Sequence, residues 1–113
     1  MHEFTIALNV IDIAREYAEK AKSDKVIEIE IEVGEVSGIV YEALEFALDS
    51  AAKNTLLEKA ERRIIKIPGK AVCNNCQHEF QTNTIYAECP SCKSFDIEFK
   101  QGKELRVKSI LFD

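Results

Sequence analysis

Four cysteines constrain this chain most: Cys73-Asn-Asn-Cys76, then twelve residues, then Cys89-Pro-Ser-Cys92. Two residues between cysteines let both thiolates of a tight turn point at one ion, while amides of the turn hydrogen-bond the sulfurs. Two such turns face to face make a tetrahedral four-thiolate site, with zinc–sulfur bonds of about 2.3 Å. Pro90 suits a tight turn in the second pair. The segment around the cysteines, residues 70–102, has too little apolar content for a core of its own. Metal binding must therefore supply most of its folding free energy, on the order of 10 kcal/mol in small zinc domains. Structural zinc is the expectation for Cys73, Cys76, Cys89 and Cys92.

Other uses of the same thiols fit less well. A rubredoxin-like iron site uses similar pairs but is usually surrounded by more aromatics. Dithiol redox chemistry needs one pair, not two. Disulfides need an oxidising compartment. A catalytic zinc keeps an open position, which four cysteines close. His78, two residues after Cys76, could replace a cysteine in a variant site, but four thiolates already satisfy the metal. Between residues 71 and 102 only Lys93 and Lys100 stand against Glu79, Glu88, Asp96 and Glu98. A phosphate-binding surface needs the opposite balance, so this unit reads as a scaffold or protein-contact module rather than a nucleic-acid binder.

The rest of the 113-residue chain reads as one small domain with the cysteine unit as an appendage. It has no repeat, no apolar run long enough for a membrane span and no signal-peptide pattern, so the cytoplasm is the expected location. Over residues 5–22 apolar side chains fall at helical spacing. Ile6, Val10, Ile13, Tyr17 and Ala21 make one row, and Ala7, Ile11, Ala14 and Ala18 the row beside it; Thr5 is the expected N-cap. A second helix is expected over residues 40–53, with Val40, Leu44, Ala47, Leu48 and Ala51 on its apolar face and Glu42, Glu45 and Asp49 opposite.

Residues 26–33 read VIEIEIEV. Ile27, Ile29, Ile31 and Val33 alternate with Glu28, Glu30 and Glu32, a strand with one buried face. Three glutamates on one face repel unless cations lie across from them. ERRIIKI (61–67) offers Arg62 and Lys66, and ELRVKSILF (104–112) offers Arg106 and Lys108. One sheet of these three strands follows, with both helices lying across its apolar face. Pro68-Gly69 marks a break. The expected fold class is therefore α+β: a small mixed sheet with two helices packed on one face, plus an inserted four-cysteine zinc-ribbon-like unit. The expected boundaries are 1–69 for the main domain, 70–102 for the zinc-binding insertion and 103–113 for a C-terminal strand that returns to the main domain.

The chain opens Met-His-Glu. A histidine in second position normally keeps the initiator methionine in place, so Met1 should carry a free amine. That amine and the His2 amide nitrogen form a five-membered chelate; the His2 amide and imidazole Nδ1 form a six-membered one. The Glu3 amide is a further donor, and its carboxylate, if near the metal, a weak extra ligand. Such planar nitrogen sets suit Ni(II) or Cu(II), not zinc or magnesium. From these residues alone, an incidental histidine and a solvated Glu3 carboxylate remain open readings.

MHEFTIALNVIDIA, VGEVSGIVYEALEFAL, the paired cysteine turns and the terminal ELRVKSI together resemble the HypA/HybF family of hydrogenase maturation proteins, over essentially the whole chain. Tyr41 is a departure: many relatives have Val-Pro where this chain has Val40-Tyr41. The resemblance implies a nickel site on Met1, His2 and Glu3 and structural zinc on the four cysteines. It implies a metallochaperone that delivers Ni(II) to the large subunit of a [NiFe] hydrogenase, works with a HypB-type GTPase and in some members also serves urease maturation. The chain lacks a Gly-x4-Gly-Lys-Ser/Thr phosphate loop and any nucleophile–base pair identifiable from spacing, so it reads as a non-enzyme. The alternative is a zinc-ribbon module for protein or nucleic-acid contact without nickel transfer.

Overall fold

The computed structural model describes residues 2–113. Its elements are α1 (Glu3–Ala21), β1 (Val26–Gly34), α2 (Tyr41–Ala52), β2 (Glu61–Ile67), β3 (Gly69–Cys73), β4 (Glu79–Thr82), β5 (Ile97–Gln101) and β6 (Leu105–Phe112). They form two three-stranded sheets, ordered β2-β1-β6 and β4-β3-β5. The chain divides into two compact units. One holds the chain up to Glu32 with Ile39–Ile65 and Arg106–Asp113; the other holds Val33–Gly38 and Lys66–Leu105.

In the first unit, the sheet is built from the three strands expected, and α1 packs on α2. The core is made by Ile6, Ala7, Val10, Ile11, Ala14 and Ala18 of α1, Leu44, Ala47, Leu48 and Ala52 of α2, and Ile29 and Ile31 of β1. Among the described residues no helix is long and apolar enough to cross a membrane.

Three local expectations are corrected. The first concerns the start of α1, which begins at Glu3 with His2 as its N-cap, not at Thr5. An imidazole nitrogen serves as well as a hydroxyl here, because His2 Nδ1 accepts from Phe4 N–H at 3.2 Å. At the far end Lys22 turns left-handed at φ 55°, and Ser23 N–H closes on Ala18 O, a Schellman-type stop.

The second concerns the outer row of α1. It is buried only at Ile6 and Val10; Ala21 is exposed and Tyr17 is 51% exposed, its ring 5.2 Å from Lys20 Nζ. In α2 the exposed Val40 precedes the helix instead of opening its apolar face.

The third concerns the cations facing the glutamates. Glu28 pairs with Arg63 at 3.1 Å, Glu32 pairs with Arg106, and Glu30 accepts from Ser109 Oγ at 2.8 Å. Arg106 thus fills its expected place, but Arg62 does not. It shares strand parity with Ile64, on the side opposite Arg63. Arg62 turns the other way, donating to Leu57 O at 2.6 Å, Glu58 O at 3.1 Å and Asp49 Oδ1 at 2.8 Å.

In the second unit β3 is the middle strand, antiparallel to β4 and to β5, with a register irregularity at Lys70/Ala71. The 33–38 segment joins it through backbone bonds: Gly34 N–H to Glu104 O, Glu35 N–H to Ile67 O and Val36 N–H to Gly102 O.

Candidate metal centres

Cys73 ends β3, and Cys76 follows one turn later. Amides of Asn75 and Cys76 point at Cys73 Sγ, at 3.3 and 3.5 Å. The turn closes when Gln77 N–H donates to Cys73 O at 2.8 Å and Cys73 N–H donates to His78 O at 2.9 Å. The second cysteine pair repeats this plan. Lys93 N–H donates to Cys89 O at 2.9 Å, and Cys89 N–H donates to Ser94 O at 2.8 Å. In each turn the residue after the second cysteine is left-handed, Gln77 at φ 66° and Lys93 at φ 67°. The sequence reading missed both, because neither is the glycine or asparagine that usually flags such a conformation.

The two turns bring the four sulfurs within 4.8 Å of one another. Cys73 and Cys92 sulfurs are 3.6 Å apart, as are those of Cys76 and Cys89. A tetrahedron of thiolates around zinc has edges of about 3.8 Å, so the cluster has the right size as well as the right donors. Its electrostatics point the same way. Cys92 is drawn down to about 6 by the Ser94 amide and by Asn75. Cys76, although the His78 amide lowers it, is pushed up to about 12 by desolvation and by its bonds to the other three thiols. Four adjacent thiols cannot all ionise together unless a cation balances them, which is what zinc does. Asn75 Nδ2 reaches Cys92 Sγ at 3.6 Å, and Asn74 ties the first turn to Asp96 by a 3.1 Å side-chain bond. The His78 imidazole is outside the group: it stacks near Phe80, centroids 6.2 Å apart.

The other predicted site residues lie at the start of α1. His2 is exposed, with Nδ1 capping Phe4 N–H. Glu3 Oε2 accepts from Val40 N–H at 3.4 Å. Its carboxyl is held below the usual range by its own amide first and then by the Val40 amide. Met1, also expected at this site, lies outside the described residues. The sequence reading gave Val40 no part here; a contact across 37 residues carries no local signal.

A family model described as "Hydrogenase/urease nickel incorporation, metallochaperone, hypA" matches residues 1–112. The chain belongs to the HypA family.

Among curated members of the family, hydrogenase maturation factor HypA of Parabacteroides distasonis is 43% identical, over 98% of this chain and 96% of its own. That of Francisella philomiragia is 40% identical over the full length of both. The solution structure of the nickel metallochaperone HypA from Helicobacter pylori is similar at a TM-score of 0.69 with 25% identity, covering 99% of this chain and 97% of that one. The expected family, α+β fold class and four-cysteine cluster therefore stand together: this is a HypA-family nickel metallochaperone chain of hydrogenase maturation, with a thiol cluster suited to structural zinc.

Proposed function

We propose that this chain binds Ni(II) through Met1, His2 and Glu3 and hands it to the large subunit of a [NiFe] hydrogenase, while Cys73, Cys76, Cys89 and Cys92 hold structural zinc. The observation that carries the reading is the exposed His2 imidazole directly after Met1, at the head of an ordered helix, in a HypA-family chain. The Met1 amine, the His2 amide and His2 Nδ1 supply three nitrogens of a planar set, with the His2 amide between the other two, and Glu3 is the adjacent residue that completes the site. Backbone amides give up their protons only to a strongly polarising ion, which favours Ni(II) or Cu(II) and makes affinity fall with pH.

A chelate at a chain terminus is accessible and can be peeled away one donor at a time. A recipient's thiolates, being softer ligands, then take the nickel by exchange. Nucleotide hydrolysis belongs to a HypB-type GTPase partner, since this chain lacks a phosphate loop. Urease maturation proteins are a second class of recipient. The chain itself is no enzyme: its sulfur cluster offers four donors and leaves no open metal position. The working compartment is the cytoplasm.

The test is nickel titration of the zinc-loaded protein in three forms: native, His2→Ala, and a form with one residue added before Met1. The reading requires one tight nickel in the native form and weak binding in the other two. Equal affinity in all three removes the terminal site.

A further inference from the structure

The face of the β2-β1-β6 sheet opposite Ile29 and Ile31 carries charge that changes sign from strand to strand. On β1, Glu28, Glu30 and Glu32 stand in a row. On β2, Arg63 pairs with Glu28 at 3.1 Å. On β6, Arg106 pairs with Glu32, and Ser109 Oγ donates to Glu30 at 2.8 Å. Lys108 and Ser109 are both exposed between the half-buried Val107 and Ile110, so both turn to this outer face. The columns therefore run positive, negative, positive, the order that opposite-charge pairs across strands favour.

The two edges of the sheet end differently. At the β2 edge the cation is answered on both sides: Arg63 meets Glu28 of β1 and also Glu61 of its own strand, at 3.2 Å. At the other edge β6 is hydrogen-bonded to β1 alone. Its far side keeps the unpaired N–H and C=O groups of an edge strand over eight residues, none of them proline or glycine. The cations there are not used up. Among the described residues Arg106 meets Glu32 through Nε only, and its side chain is 69% exposed. Lys108 makes no ion pair among the described residues.

We propose that the free edge of β6 is a docking site for an extended acidic segment of a partner protein, which joins the sheet as a fourth strand with carboxylates at alternate positions beside Arg106 and Lys108. Main-chain bonds to β6 hold the segment, and the two cations select it. The charge order then continues as positive, negative, positive, negative. A second copy of this chain is the wrong occupant, because pairing two β6 edges sets the cations of both strands into one face. None of these residues belongs to either metal centre.

The test uses the full zinc-loaded chain, isotope-labelled for NMR, and a capped peptide of alternating threonine and glutamate. At millimolar peptide, resonances along β6 should move and alternate β6 amides should exchange more slowly. Lys108→Glu should weaken binding about fivefold or more, and amide protection in α1 and α2 reports that the variant is folded. A peptide with lysine in place of glutamate should not bind. Two further peptides, N-methylated at the glutamate amides or at the threonine amides, each lose the donors of one strand edge, and one of the two should fail to bind. The proposal is overturned if the acidic peptide leaves β6 unperturbed, or if Lys108→Glu binds it unchanged. It is equally overturned if the lysine peptide or both methylated peptides bind as tightly as the acidic one. A peptide-free protein that is already a dimer with its β6 amides protected would make a second copy the occupant and overturn it too.

Discussion

Gly34 and Gly102 meet backbone to backbone: a Cβ placed on Gly34 would lie 1.8 Å from Gly102 O and 2.6 Å from the amide nitrogen of Lys103. Gly102 is itself left-handed at φ 114°, and a Cβ there would meet Gly69 Cα at 2.6 Å. All are backbone atoms, so no side-chain rotation relieves the clash. Gly34→Ala should therefore destabilise the cysteine-bearing unit by about 2 kcal/mol or more in thermal or urea unfolding. Gly38→Ala is the informative contrast. Nothing lies within 4 Å of its added Cβ, and only its φ of 86° opposes the change. A Gly34→Ala variant as stable as the native protein would contradict the close approach.

The β2 parity makes a second prediction. Arg62 serves three carbonyls, Leu57, Glu58 and Ala60, and its side chain is only 17% exposed. Arg63 pairs with Glu28 and Glu61 but is half exposed. Arg62→Ala should lower stability by about 2 kcal/mol, because it strips hydrogen bonds from part-buried carbonyls. Arg63→Ala should lower it by less than about 1 kcal/mol, as for a surface ion pair, and less still in high salt. The reverse order in urea unfolding would place the strand in the opposite phase.

Metal removal makes the third. The two cysteine turns are closed by backbone bonds, but among the described residues of 70–102 the only buried side chains are Ala71, Cys73 and Cys89. Stripping zinc with a strong chelator, or Cys73→Ser, should abolish amide protection in β3, β4 and β5, while protection in α1 and α2 persists. Hydrogen exchange followed by mass spectrometry resolves the two regions. Full protection of β3 to β5 after zinc removal would show that the metal is not the folding core.

The fourth concerns pH. The Glu3 carboxyl is lowered from 4.5 by its own amide and that of Val40. A carboxyl lowered by folding adds stability above its unfolded value and loses it as pH falls through the folded one. The bond to Val40 should therefore persist to lower pH than the ionisation of the same glutamate in the unfolded chain. An NMR titration of the Glu3 carboxyl carbon should give a midpoint below that of the same glutamate in the urea-unfolded chain; a midpoint at or above the unfolded one contradicts the contact.

Much of the fold was legible where a period or a spacing repeats. The alternation of Ile29, Ile31 and Val33 with the glutamates identified the buried face of β1, although Ile27, expected on that face, is exposed and Glu32, expected on the other, is buried; the cysteine spacing identified a four-sulfur cluster. What was not legible depends on contacts between distant residues or on rare conformers. Nothing in ERRIIKI says whether Arg62 or Arg63 faces the glutamates; the carbonyls of Leu57, Glu58 and Ala60, which take up Arg62, are not visible in that stretch. GEVSG reads as a loop, yet Gly34 is needed because Gly102 comes against it. At the metal sites the cysteines were plain, whereas the left-handed Gln77 and Lys93 carry no composition signal. His2 was read as a ligand before it could be seen as a cap, since histidine is not among the usual capping residues.

The central claim is that the terminal amine and His2 together hold nickel. It is tested most directly by nickel titration of the zinc-loaded protein before and after selective acetylation of the Met1 amine, with zinc content measured in both. The account predicts one tightly bound nickel before acetylation, loss of that binding afterwards, and zinc unchanged throughout. Nickel binding of equal strength in the acetylated protein would contradict it.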